Sequence, residues 1–231
     1  MPSPTMATTE LIATCSGGII FTGDSVRAIR EGRKTRTTRL IWPKPNDKLV
    51  NRLGDARGDE LPEVLDRLGP KFFPRYRMGG RYYVKETWCC KVDMVSAKIT
   101  DDFYYRLDDP DVVKVDGYGC MVSRKDGSEA SPWLSPMRMP KRAARYVIEI
   151  EGVTLMRLQD ITTHLAAKEG VPCWTCGGRT DGTSEADCGC FHSTQMARDS
   201  FAIAWNAING KRATWDSNPW VWSYSFHMVK P

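Results

Sequence analysis

No apolar run in the sequence approaches the roughly 20 residues that a membrane-spanning helix needs. The first residues, MPSPTMATTELIATCSGG, carry no basic stretch followed by a long apolar core, so no secretory signal is expected there. Internal repeats and low-complexity tracts are also missing, which argues against solenoids, propellers and fibrous chains. Acidic residues do not outnumber basic ones. The net charge of +5 permits an anionic partner without demanding one. These absences leave a soluble, cytoplasmic protein with no membrane partner as the expectation. Its 41% hydrophobic content is ample for a packed core.

The positive charge that is present is concentrated. Between Val26 and Leu40 stand six basic residues, Arg27, Arg30, Arg33, Lys34, Arg36 and Arg39, against the single acid Glu31. Three threonines share the second half of that stretch. A threonine hydroxyl is a poor nucleophile at neutral pH and needs a base beside it. A lysine can serve when burial or neighbouring positive charge weakens its hold on a proton. Lys34 and Thr37 are the natural pair, with Arg33, Arg36 and Arg39 as the charged neighbours. Positions three apart point to opposite faces of a regular strand, so the pairing requires the strand to begin after Lys34. A solvated basic edge is the plainer alternative.

The pattern along the chain is mixed. Gly18 to Phe21 reads as a buried strand, Thr22 to Ser25 as a helix cap, and Gly32 as the left-handed end of a short helix. Thr35 to Ile41 is β-compatible, a helix is expected over 60–68, and Arg81 to Trp88 reads as one strand. Arg145 to Glu151 alternates as a strand, and Asp160 is expected to cap a short helix ended by Gly170. Met196 to Ile208 has helical periodicity. In the closing strand from Trp220 to His227, Trp220, Trp222, Tyr224 and Phe226 share one face. They read as core, with base stacking as the alternative. The predicted class is α+β: a mixed β-barrel closed by its last strand, with short flanking helices. Residues 1–17 are expected to be a flexible lead-in and 18–231 a single domain, with insertions at about 92–143 and 172–193.

Four of the eight cysteines crowd between Cys173 and Cys190. The order is C-x2-C, eleven residues, then C-x-C-x-H, and glycines allow the backbone to curl around an ion. Cys173, Cys176, Cys188 and Cys190, with His192 competing for the fourth place, are candidate ligands of a structural zinc. A free-thiol loop or a disulfide pair is the alternative. Cys15, Cys89, Cys90 and Cys120 read as ordinary buried thiols. Glu86, on a strong strand, is a reserve acid that could line a barrel mouth and touch substrate.

The segment AIREGRKTRTTR, Ala28 to Arg39, resembles the signature of the ASCH family of PUA-like β-barrels. The likeness extends to RLQDITTHLAAKEGV, Arg157 to Val171, and to the closing NPWVWSYSF. The chain is similar to phage- or prophage-type members, so a host cytoplasm is implied. Small bacterial members hydrolyse the N4-acetyl amide of acetylated cytidine with a lysine, a threonine and a glutamate. The resemblance implies Lys34, Thr37 and Glu169 in those roles. It also implies a modified cytosine nucleoside, nucleotide or nucleic acid as partner. Two rivals follow from the same family: an RNA-binding PUA-like module without catalysis, and an ASCH-type ribonuclease. For Glu169 the plainer expectation is an exposed helix-end acid paired with Lys168 or an arginine.

Overall fold

The computed structural model describes residues 6–41, 70–93, 98–109, 112–114, 121–123, 129–173 and 196–230. The chain divides into two compact units. One comprises Met1–Arg27, Arg81–Glu149 and Met228–Pro231, the other Ala28–Gly80 and Ile150–His227. The class is α+β with mostly sheet. Among the described residues, no sheet closes into a barrel. The expected helix over 60–68 lies outside the described residues.

The first unit begins with helix α1, Met6–Ala13, inside the stretch read as a flexible lead-in. Ile12 and Cys15 are buried with Trp88, Cys90, Tyr105, Met139 and Val147, so this stretch belongs to a core. Strand β1, Gly17–Ile20, leads through Thr22, whose Oγ1 accepts from Ser25 N, into helix α2, Gly23–Arg30. After β2 (Arg36–Leu40) of the second unit comes β3, Arg81–Lys85, parallel to β1 and antiparallel to the first residues of β9, Val147–Arg157. The expected single strand over 81–88 is interrupted at Glu86, and β4 runs from Trp88 to Asp93. Short strands β5 (Lys98–Tyr105), β6 (Val112–Lys114), β7 (Met121–Ser123) and β8 (Glu129–Ala130) complete a sheet of order β5-β4-β8-β7-β6. Cys89 is fully buried, and burial pushes its thiol up to about 12, which makes it unreactive. Cys120 lies outside the described residues.

In the second unit, β2, Arg36–Leu40, is antiparallel to β10, Trp220–Val229, and β10 also neighbours β9. Trp220, Trp222, Tyr224 and Phe226 are all buried, and Trp222 Nε1 donates to Phe72 O at 3.1 Å. Each such ring removes about 150–250 Å² from water, worth several kcal/mol at about 25 cal/mol per Å². The stripe is core, and its faces are covered rather than offered to bases. A 3₁₀ turn, Leu158–Asp160, precedes helix α3, Thr163–Ala167, whose cap is Thr162 and not Asp160. Thr162 wins because its oxygen accepts from Leu165 N, whereas Asp160 is taken up in the preceding turn. Helix α4, Met196–Asn209, buries Phe201 and Trp205 against Leu158, Ile161, Ala166 and Val221. Ile208, expected on the packed face, is exposed.

Candidate functional site

The basic run is shaped by backbone bonds before any side chain is considered. Gly32 ends α2 at φ +75°, and Arg33 N and Lys34 N both donate to Ala28 O. Thr35 N and Arg36 N then donate to Lys168 O, each at 3.0 Å. Lys34 Nζ donates to Glu169 O at 2.7 Å, and Arg33 Nη1 to Gly170 O at 3.1 Å. Three successive carbonyls beyond α3 are therefore satisfied by the run. Helix ends leave such acceptors unpaired, and cations are favoured beside them. Two of the six charges, those of Arg33 and Lys34, are thus used in docking the end of a short helix.

Gly170 makes that docking possible. Its φ of +67° suits glycine, and a Cβ there would lie 2.8 Å from Lys34 Cβ and 2.9 Å from Ala28 Cβ. Any side chain would force Lys34 away from Glu169.

Lys34 and Glu169 are each only 5% exposed, and Nζ lies 2.8 Å from Glu169 Oε2. The expectation of an exposed Glu169 paired with Lys168 is therefore replaced by a buried ion pair. Burial draws Lys34 below its ordinary proton affinity, the Glu169 charge opposes that, and Arg39 adds to it. Glu169 Oε1 accepts from Thr38 Oγ1 at 2.6 Å. Ser223 Oγ lies 3.4 Å from Thr38 Oγ1 and accepts from Arg36 Nη1 at 2.5 Å. Burial also lowers the proton affinity of Arg36, against the pull of Glu169. Among the described residues, the buried Nε of Arg36 has no hydrogen-bond partner.

The structure thus brings Lys34 and Glu169 together and adds Thr38, Ser223 and Arg36. Thr37 is buried, but it stands opposite Tyr224, while Thr38 stands opposite Ser223. Alternation along β2 sends the two threonines to opposite faces. β2 begins at Arg36, so the requirement that the strand start after Lys34 is met. Even so, Thr37 Oγ1 makes no hydrogen bond among the described residues, and Thr38 is the threonine bonded to the buried pair. Two adjacent threonines are the only signal in the sequence for Thr38, and Ser223 has none.

The remaining candidates are placed as follows. Arg33 is held by Glu31, at 2.6 Å, and by Gly170 O. Arg39 lies opposite Trp222, on the Thr37 face of β2. Glu86 belongs to the first unit and is buried. It accepts from Arg145 Nε at 3.0 Å and Nη2 at 2.8 Å. Arg145 also pairs with Asp108, and its guanidinium stacks 3.7 Å over the Tyr105 ring, which makes Glu86 part of an internal ion network. Cys173 is buried, whereas Cys176, Cys188, Cys190 and His192 lie outside the described residues. Among the described residues, no group of three or more His, Cys, Asp or Glu could hold a metal, and no helix is long and apolar enough to cross a membrane.

Comparison with protein-family models, with curated proteins and with solved structures found no match.

Proposed function

We propose that the protein is an amidohydrolase of the PUA-like ASCH type that removes an acyl group from an N4-acylated cytosine nucleoside or a related modified base. The observation that supports this reading is the buried Lys34–Glu169 pair, in which burial weakens the lysine's hold on its proton. A surface basic patch built only to meet phosphate would not bury its lysine against a carboxylate.

In this mechanism Lys34, as the free amine, takes the proton of Thr37 Oγ1. Thr37 is the uncommitted hydroxyl of the two, since that of Thr38 is bonded to Glu169. Thr37 and Thr38 point to opposite faces of β2, so the Lys34–Thr37 contact requires the start of the strand to shift when substrate binds, and it is assigned to that state. The oxygen attacks the acyl carbonyl, giving a tetrahedral oxyanion that the charge of Arg39, on the Thr37 face of β2, stabilises. The carbon–N4 bond then breaks, and the leaving amine takes a proton from the Lys34 ammonium, which Glu169 orients. Water adds to the acyl-threonine ester, which releases the carboxylic acid and restores Thr37. A zinc held by Cys173, Cys176, Cys188 and Cys190 or His192 is a structural part of this proposal. Four such ligands leave no coordination position open for substrate.

The test is incubation with a panel of N4-acylated cytosines and mass analysis of the products, and release of free cytosine nucleoside is expected. Binding of RNA with affinity falling steeply in salt, and no product from any member of the panel, would instead favour the binding-module reading. Cleaved RNA would favour the ribonuclease.

A further inference from the structure

We propose that Thr38 is a positioning residue: its hydroxyl, backed by Ser223 and Arg36, fixes the Glu169 carboxylate against Lys34. The inference rests on Lys34 acting as the base.

The hydrogen bonds form a chain with one direction. Arg36 Nη1 can only donate, so Ser223 Oγ accepts from it. The single hydroxyl proton of Thr38 is used on Glu169 Oε1. Ser223 must therefore supply the proton between the two hydroxyls, 3.4 Å apart. The order is Arg36 to Ser223 to Thr38 to Glu169, every member donating toward the carboxylate. Chains aligned in this way polarise one another. Ser223 is 1% exposed, so water does not readily replace a member.

This arrangement has a consequence for Lys34. While the lysine is charged, Glu169 is held at Oε2 by the ammonium and at Oε1 by Thr38. When Lys34 loses its proton, Glu169 loses the ammonium at Oε2, and Thr38 at Oε1 becomes its principal support. A donor that matters more after deprotonation favours deprotonation. Thr38 should thus lower the pH at which Lys34 becomes a free base. The charged groups around Lys34 are Glu169 beyond α3, Arg33 on Gly170 O, and Arg36 and Arg39 on β2. The change is assigned to Lys34, whose resonance the experiment follows.

The experiment compares Thr38→Val, Thr38→Ser and Ser223→Ala in the full chain. The first readout is kcat/KM for N4-acetylcytidine against pH. The second is the titration of the Lys34 side-chain resonance in protein carrying 13Cε-lysine, assigned with Lys34→Met. For Thr38→Val, the acid limb should move to higher pH, with kcat/KM about tenfold lower below it and recovery above it, as expected for a lost hydrogen bond to a charge. The Lys34 resonance should move in the same direction. Thr38→Ser should stay near the wild-type profile, and Ser223→Ala should fall between. A uniform loss at every pH, or a Lys34 resonance titrating where it does in the wild type, overturns the proposal. Failure of the wild type to deacylate would remove the amidohydrolase reading alone, because the resonance titration still decides the positioning role.

Discussion

Lys34 Nζ donates both to the backbone carbonyl of Glu169, at 2.7 Å, and to its carboxylate, at 2.8 Å. One side chain therefore ends a helix and neutralises a buried acid at once. Removing either partner strands the other. Lys34→Met or Glu169→Leu alone should cost about 3–5 kcal/mol of stability, the usual result of leaving a buried charge unpaired. The double variant should be less destabilised than the sum of the two, and chemical denaturation of all three variants tests this.

Thr37 carries the proposed nucleophile. Thr37→Ala should remove most deacylation of N4-acetylcytidine with an unchanged circular dichroism spectrum, and Thr37→Ser should retain part of it. Lys34→Arg should be inactive, because a guanidinium does not release its proton at working pH. Full activity in Thr37→Ala sinks the nucleophile assignment.

Gly170→Ala adds a methyl group at φ +67°, 2.8 Å from Lys34 Cβ. The backbone strain alone is of order 1–2 kcal/mol, and displacement of Lys34 comes on top. The expected outcome is a lower Tm together with lost activity. A variant with unchanged Tm and turnover would show that the close approach is dispensable.

Arg36 has a buried Nε–H with no acceptor among the described residues, on the same strand face as Thr38. Arg36→Gln should weaken phosphorylated substrates more than bare nucleosides, measured as the ratio of their kcat/KM values. Equal loss for both would mean that the residue does not read phosphate.

Elemental analysis of purified protein should give about one zinc per chain, and chelation should free thiols at Cys173 and its neighbours. Well under one equivalent of zinc would remove the metal from the proposal.

The sequence made the local elements around the site legible. The turn at Gly32, the strand after Thr35 and the left-handed Gly170 follow from chemistry that acts over a few residues. Lys34 was legible as a candidate base because six cations crowd one stretch, and its burial beside Glu169 was not legible. What could not be read is pairing across the chain. Choosing between Thr37 and Thr38 needs the register of β2 on β10, which no local pattern encodes. Ser223 looks like any polar residue in an aromatic strand until Arg36 and Thr38 are placed opposite it. Glu86 shows the reverse case: its strand was plain, but its pairing with Arg145, 59 residues away, was not. Asp160 failed as a cap because Thr162, two residues on, offered its oxygen at the right place.

The partners of the basic run are also remote in time. Lys34 meets Glu169 across 135 residues, and Arg36 meets Ser223 across 187. At about 5–20 residues per second, a ribosome takes roughly 7–27 s to reach the first partner and longer to reach the second. For that interval Lys34 and Arg36 lack the carboxylate and the hydroxyl that hold them in the finished fold. Loop closure over such separations also makes these contacts slow to form. The candidate site is therefore complete only once β10, the closing strand, brings Ser223 to Arg36 and Thr38.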